Sequence, residues 1–318
     1  MKRALSRILV LVLVFLFLGP AMAADKPAKK VDIGLDWFAN PDHGPVIVAL
    51  TRGFFADAGL DVTIVAPSTT RDNVTMVLDG RVAIGMADQV RVQIEAAGGS
   101  PLAIVGTLIP VPLNVILAVE GGPVKSIADL RGKRIGYADS EKAQRALLKI
   151  ALAAHGISIS EVTLVDVEFA MVKALLDGKV DVLTDAYRNF EPIRVMLAGK
   201  TPRVFDIEDG PIPPYSELVY IVDRRAVDMD VVDKFLTAVE RGARAIADDP
   251  AAAWKAFVKY DAKLDNELNK RSWKATVPFF ALRPALVDRA RYERFADFLV
   301  KHDLIERAPN SDDYLLSQ

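Results

Sequence analysis

Residues 35–44, L-D-W-F-A-N-P-D-H-G, gather an indole, a carboxamide, an imidazole and two carboxylates into one short stretch. A mostly apolar run, residues 31–35, precedes it, and a helix-like run, residues 45–56, follows. The pattern predicts a strand ending at Asp36, a turn, and a helix beginning near Gly44. Open α/β folds place ligands in loops beyond the carboxyl ends of strands. Trp37 offers a flat apolar face with one donor, Asn40 a donor and an acceptor, and Asp42 and His43 groups able to hold charge. The stretch also reads as a core indole beside an ordinary Asn-Pro turn, and at this level both readings stand.

Outward from this turn, short β-branched runs alternate with longer amphipathic ones, the pattern of parallel-sheet α/β units. Strands are predicted near residues 31–35, 61–65, 82–86, 102–107 and 114–119, and helices near 46–58, 71–78 and 89–97. A similar set follows, with strands near 134–137, 162–165, 180–183, 204–206 and 217–222, and helices near 140–155, 170–176 and 187–197. Beyond Met229 the pattern is mostly helical. Proline-flanked segments at 110–119 and 213–222 join the two sets, which predicts two lobes crossed twice by the chain. One continuous doubly wound sheet with a helical tail is the alternative. Two crossings make a hinge, and the cleft between lobes is the natural pocket.

The chain has 318 residues, 51% of them apolar, enough for one large or two ordinary domains. A formal net charge of -2 gives no basic footprint for nucleic acid. Lys2, Arg3 and Arg7 precede an apolar run at 8–18 that is too short to span a bilayer, and Ala21-Met22-Ala23 closes it. This is the form of a secretory signal peptide cleaved after Ala23, which moves the net charge to about -5. The mature chain is then expected to be exported and soluble, with residues 24–30 a flexible leader. There is no cysteine, hence no disulfide or thiol chemistry. His43, His155 and His302 are scattered without metal-ligand spacing, and no nucleophile elbow, Walker A or Rossmann fingerprint occurs. Neither a catalytic residue, a metal nor a cofactor is expected.

Four segments carry a resemblance: D-W-F-A-N-P-D-H-G (36–44), A-L-T-R-G-F-F-A-D-A-G-L-D-V (49–62), D-G-R-V-A-I-G-M-A-D-Q (79–89) and I-A-D-L-R-G-K-R-I-G (127–136). Together they resemble the periplasmic substrate-binding proteins of ABC importers, within the SsuA/THI5-like superfamily. The branch most similar is the ThiY-like one, which binds pyrimidine precursors of thiamine. The turn departs from the family form at Ala39, where a proline is usual, and Asp88 stands where an aromatic often does. The resemblance implies a periplasmic-binding-protein type II fold: two α/β lobes on a two-segment hinge. Its boundaries would be lobe 1 at 31–112 and 221–318, and lobe 2 with the hinge strands at 113–220. It implies a monomeric, non-catalytic receptor that hands a small heteroaromatic ligand to a membrane permease. The alternatives are the same receptor for riboflavin, another heteroaromatic or a sulfonate, and, more distantly, a pyrimidine synthase.

An aminopyrimidine needs an aromatic platform and a carboxylate or amide for its amine and ring edge; stacking on an aromatic is worth roughly 1–3 kcal/mol. The candidates fall where strands end. They are Trp37, Asn40 and His43 after the first strand, then Asp88 and Gln89, then Tyr137 and Asp139. In the second set they are Tyr187 and Glu191, then Tyr215 and Glu217 on the second crossing. Tyr187 is expected across the ring from Trp37, with Glu191 on the same helical face pairing with the amine. Asp88 and Asp139 read equally as helix caps, Glu191 as a partner of Arg188 or Arg194, and Pro213-Pro214-Tyr215 as hinge geometry.

Overall fold

In K-K-V-D-I-G the buried Val31 and Ile33 flank an exposed Asp32, and this two-residue period makes β1 (Lys29–Gly34). The computed structural model describes residues 27–69, 72–138 and 142–316. After β1 come α1 (Gly44–Thr51), α2 (Phe54–Asp57), β2 (Leu60–Val65), α3 (Asp72–Leu78), β3 (Gly85–Ala87), α4 (Gln89–Ala97) and β4 (Leu102–Ile109). Then follow β5 (Asn114–Val119), β6 (Arg134–Tyr137), α5 (Lys142–Ala153), β7 (Thr163–Asp166), α6 (Met171–Leu176), β8 (Val182–Tyr187), α7 (Glu191–Leu197) and β9 (Pro202–Asp206). The chain closes with β10 (Leu218–Asp223), α8 (Met229–Asp248), α9 (Pro250–Tyr260), α10 (Glu267–Thr276), α11 (Arg289–Lys301) and α12 (Ser311–Tyr314).

These strands make two sheets on one plan. In the first, β1 pairs in parallel with β2, and a parallel bridge between Ile33 and Ile84 carries it to β3. Strand β10 then lies antiparallel between β3 and β4, giving the order β2-β1-β3-β10-β4. The second sheet runs β7-β6-β8-β5-β9, with β5 antiparallel between β8 and β9. Each crossing of the chain thus delivers one antiparallel strand into the fourth place of the sheet it enters. The crossings themselves are residues 110–113 and 207–217. The architecture is α/β, as the alternation of runs predicts.

Helix α8 covers the first sheet with an apolar face that includes Val232, Phe235, Leu236, Val239 and Ile246. It packs against α1 so closely that a Cβ at Gly242 would stand 2.2 Å from the carbonyl oxygen of Pro45. Burying each such aliphatic or aromatic side chain contributes about 1.5–3 kcal/mol. Trp254, Phe257 and Trp273 stack among α9 and α10 at centroid distances of 5.1–5.6 Å, as packing rather than as a site.

Four expectations are corrected. Strand β8 runs to Tyr187, because Asn114 pairs with it and draws 184–187 into the sheet, and α7 starts only at Glu191. Tyr187 and Glu191 therefore do not share a helical face. Strand β10 lies wholly in the first sheet, so residues 218–220 do not close the second lobe. Residues 29–30, expected in a flexible leader, pair with Leu60 and Asp61, and Lys29 forms an ion pair with Asp228. Residues 1–23, read above as a signal peptide, lie outside the described residues, as does Asp139. Among the described residues, no helix is long and apolar enough to cross a membrane.

Candidate functional site

The turn after β1 is locked by its own polar groups. The Asn40 side-chain oxygen accepts from the Asp42 amide at 2.8 Å, and its Nδ2 donates to the Phe38 carbonyl at 3.1 Å. The Asn40 amide donates to Nδ1 of His43 at 3.2 Å, so the ring proton sits on Nε2 and is donated to Asp36 at 2.9 Å. The imidazole is wholly buried. Pro41 opens a single 3-10 turn with its fixed φ. His43 thus acts as an internal strut, and the turn presents Asp36, Trp37, Asn40 and Asp42 to the gap between the sheets.

The opposite wall comes from β8 and the start of α7. Glu191 accepts the Tyr187 amide at 2.9 Å, which ties the strand end to the first turn of α7. Asp185 takes a left-handed backbone, φ 65°, just before it. The two halves interlock here. Trp37 of the first half packs on the apolar core of the second, while Tyr187 of the second packs on the core of the first. The indole stands edge-on to Phe169 at 4.5 Å. Asn189 Nδ2 reaches across to the Asp42 carboxylate at 2.5 Å and to the Thr276 hydroxyl of α10 at 2.6 Å.

The cavity so formed is partly open, and about 720 Å3 of empty space lies within it and its solvent-filled mouth together. Asp36, Trp37, Asn40, Asp42, Asn73 and Asp88 line it from one side, and Ala138, Met171, Asp185, Tyr187, Phe190 and Glu191 from the other, with Leu218 of β10 between. Five of these are carboxylates, and none of the described lining residues is Lys, Arg or His. Burial pushes the Asp42 carboxyl up to about 6, with His43, Asn189 and Thr276 opposing and Asp36 adding to the rise. Burial likewise pushes Glu191 up to about 7, against the Tyr187 amide and Arg194. Asp88 is raised by burial although it accepts the Arg91 amide at 2.7 Å as the cap of α4. Burial and the surrounding carboxylates hold the Tyr187 phenol protonated. Mutually repelling acids in a poorly solvated space favour their neutral forms until a cation or a set of N–H donors arrives. Among the described residues no three acids or histidines come together as a metal site.

Of the residues singled out by sequence, the structure brings Trp37, Asn40, Asp88, Tyr187 and Glu191 to the cavity wall. His43 stands behind it. Tyr137 ends β6 beside Asp166 and does not line the cavity. Gln89, Tyr215 and Glu217 are buried in the hinge. Gln89 accepts the Ser216 amide at 2.8 Å, and Tyr215 packs on Phe295 at 5.5 Å. The Glu217 carboxylate accepts from the amides of Leu113 at 2.6 Å and Asn114 at 2.9 Å, and from the Tyr215 hydroxyl at 3.2 Å. Asp36, Asn73, Asp185 and Phe190 were not singled out. Asp36 carried a legible signal, the end of the predicted strand beside the aromatic turn, although β1 itself stops at Gly34; Asn73, inside a helix, carried none.

Residues 40–253 match the family described as NMT1/THI5 like. The chain belongs to that family. The NMT1/THI5-like chain is 35% identical over 281 residues to a protein of Haemophilus influenzae named for thiamine biosynthesis, covering 88% of this chain and 89% of that one. It is 28% identical to the formylaminopyrimidine-binding protein of Halalkalibacterium halodurans, over 78% and 76% of the two chains. It is also 25% identical to a 4-amino-5-hydroxymethyl-2-methylpyrimidine phosphate synthase of Legionella pneumophila, over 88% and 91%. Among solved structures it is similar to the alkanesulfonate-binding protein SsuA from Xanthomonas axonopodis pv. citri. There the TM-score is 0.70 at 18% identity, over 92% of this chain and 99% of that one. The NMT1/THI5-like chain therefore has the periplasmic-binding-protein fold expected from its sequence.

Proposed function

We propose that the chain is an exported solute-binding receptor that captures an aminopyrimidine precursor of thiamine between its lobes and hands it to an ABC permease. The observation that carries this reading is the cavity: aromatic side chains from both halves around five carboxylates, with no basic side chain among the described lining residues. Trp37 and Tyr187 supply flat surfaces, and Asp36, Asp42, Asp88 and Glu191 the acceptors an exocyclic amine requires. Support also comes from the relative named for formylaminopyrimidine binding. Lobe 1 comprises residues up to about 109 together with those from 218 onward, lobe 2 the stretch between, and closure on ligand is a population shift about the two crossings. The signal peptide, periplasmic location and monomeric state belong to the same reading.

A thermal-shift panel of aminopyrimidines, flavins and sulfonates on the mature protein tests it. A true ligand at a hundred times its dissociation constant stabilises by about 2.7 kcal/mol. Stabilisation by a sulfonate or a flavin alone would overturn the ligand assignment. The synthase reading is favoured by the several relatives of that name. Release of a pyrimidine phosphate on incubation with pyridoxal phosphate and iron would establish it in place of the receptor.

A further inference from the structure

We infer that the cavity is built for a cation: it takes the protonated form of a nitrogen heteroaromatic and rejects anionic derivatives of the same ring, phosphate esters above all. The inference rests on the receptor reading above and names the charge state of its ligand. In four of the lining acids one oxygen is already engaged by a donor of the protein. His43 holds one of Asp36, Asn189 one of Asp42, the Arg91 amide one of Asp88 and the Tyr187 amide one of Glu191. The other oxygen of each takes no hydrogen bond from another described residue. Asp42 and Glu191 are nonetheless only 3% and 6% exposed. These four acids thus line one partly open cavity between two aromatic walls. A ring carrying an amine and a protonated ring nitrogen is flat, positive and rich in N–H donors, and it matches that inventory. Charge-assisted hydrogen bonds of this kind are roughly twice as strong as neutral ones.

A phosphate or sulfonate on the same ring brings acceptors and negative charge to a wall of acceptors. Arg91 is the buried guanidinium among the described residues; its charge already acts on Asp88, and its Nη1 donates to the Asn73 side-chain oxygen at 3.3 Å. The raised Asp42 and Glu191 carboxyls agree with a cavity waiting for positive charge, because a bound cation would let both ionise. Selectivity here comes from repulsion of the wrong ligand as much as from attraction of the right one.

Calorimetry at neutral pH tests the inference with two matched pairs. 4-Aminopyridine, a cation at that pH, and aniline, neutral and of the same shape, form the first. The hydroxymethyl aminopyrimidine and its phosphate ester form the second. The cation is expected to bind at least roughly tenfold tighter than aniline and the ester at least roughly a hundredfold weaker than the alcohol. Glu191→Gln is expected to shrink the aminopyridine-to-aniline ratio. Equal binding of aminopyridine and aniline, or of ester and alcohol, overturns the inference. If the pyrimidine alcohol does not bind but aminopyridine still outbinds aniline, the pyrimidine assignment fails and the charge preference stands. Failure of every probe overturns both.

Discussion

Glu217 offers a direct test of how the hinge is held. Its carboxyl is wholly buried and joins the two crossings by accepting from Leu113 and the adjoining Asn114 at one and Tyr215 on the other, while its second oxygen has no partner among the described residues. Burial first, and then the charge of Asp88, push it from the ordinary 4.5 up to about 8, against the pull of the two amides. Between those values the folded protein keeps a proton that the unfolded chain has released. Stability therefore falls as pH rises across that window and is greatest below it. The amide of a Glu217→Gln variant has no such proton. One proton is worth about 1.4 kcal/mol per pH unit, so the wild type should lose about 2.7 kcal/mol more than the variant between about pH 5.5 and about pH 7.5. Asp42 and Glu191 titrate with the same sign in both proteins and cancel in the difference. At the acid end the variant should cost only about 1 kcal/mol, because its new N–H₂ stands where an oxygen already lacked a partner. Urea denaturation followed by tryptophan fluorescence, extrapolated to water at each pH, measures both terms. Parallel pH profiles would show that the hinge amides hold Glu217 ionised, and the argument from burial would fail.

Trp37→Ala should weaken ligand binding at least tenfold, a loss of about 1.4 kcal/mol, because it removes a wall of the cavity; calorimetry showing unchanged affinity would refute that role. Asn189→Ala takes a donor from the buried Asp42 and cuts the polar link across the gap, and should cost about 1–3 kcal/mol in chemical denaturation while weakening ligand binding. Gly242→Ala forces a methyl group against the Pro45 carbonyl and should destabilise the first lobe by at least about 1–3 kcal/mol, read as a lowered midpoint.

The α/β alternation was legible because β-branched runs and glycine-stopped helices follow local rules. The strand order was not, since β10 enters the first sheet from a sequence distance of more than a hundred residues. The ends of strands pointed to Trp37, Asp88 and Tyr187, and all three stand in the cavity wall. Sequence could not show that His43, Gln89 and Glu217 spend their polar atoms inside the protein, because their partners, Asp36, Ser216 and Leu113, are fixed by tertiary packing. Tyr187 and Glu191 looked like neighbours on a helix because the apolar pattern at 187–197 fits a period of 3.6. The pairing of Asn114 with Tyr187 overrode that local preference.

The late arrival of β10 bears on how the molecule can be made. It sits between β3 and β4, so those two cannot close ranks until the last strand has emerged, by which time the second sheet has already been synthesised. Such long-range pairing delays folding through the entropy of closing the intervening chain. On the proposed reading as an exported receptor, the chain crosses a membrane before it folds, and this connectivity keeps the first core unfinished until β10 has emerged.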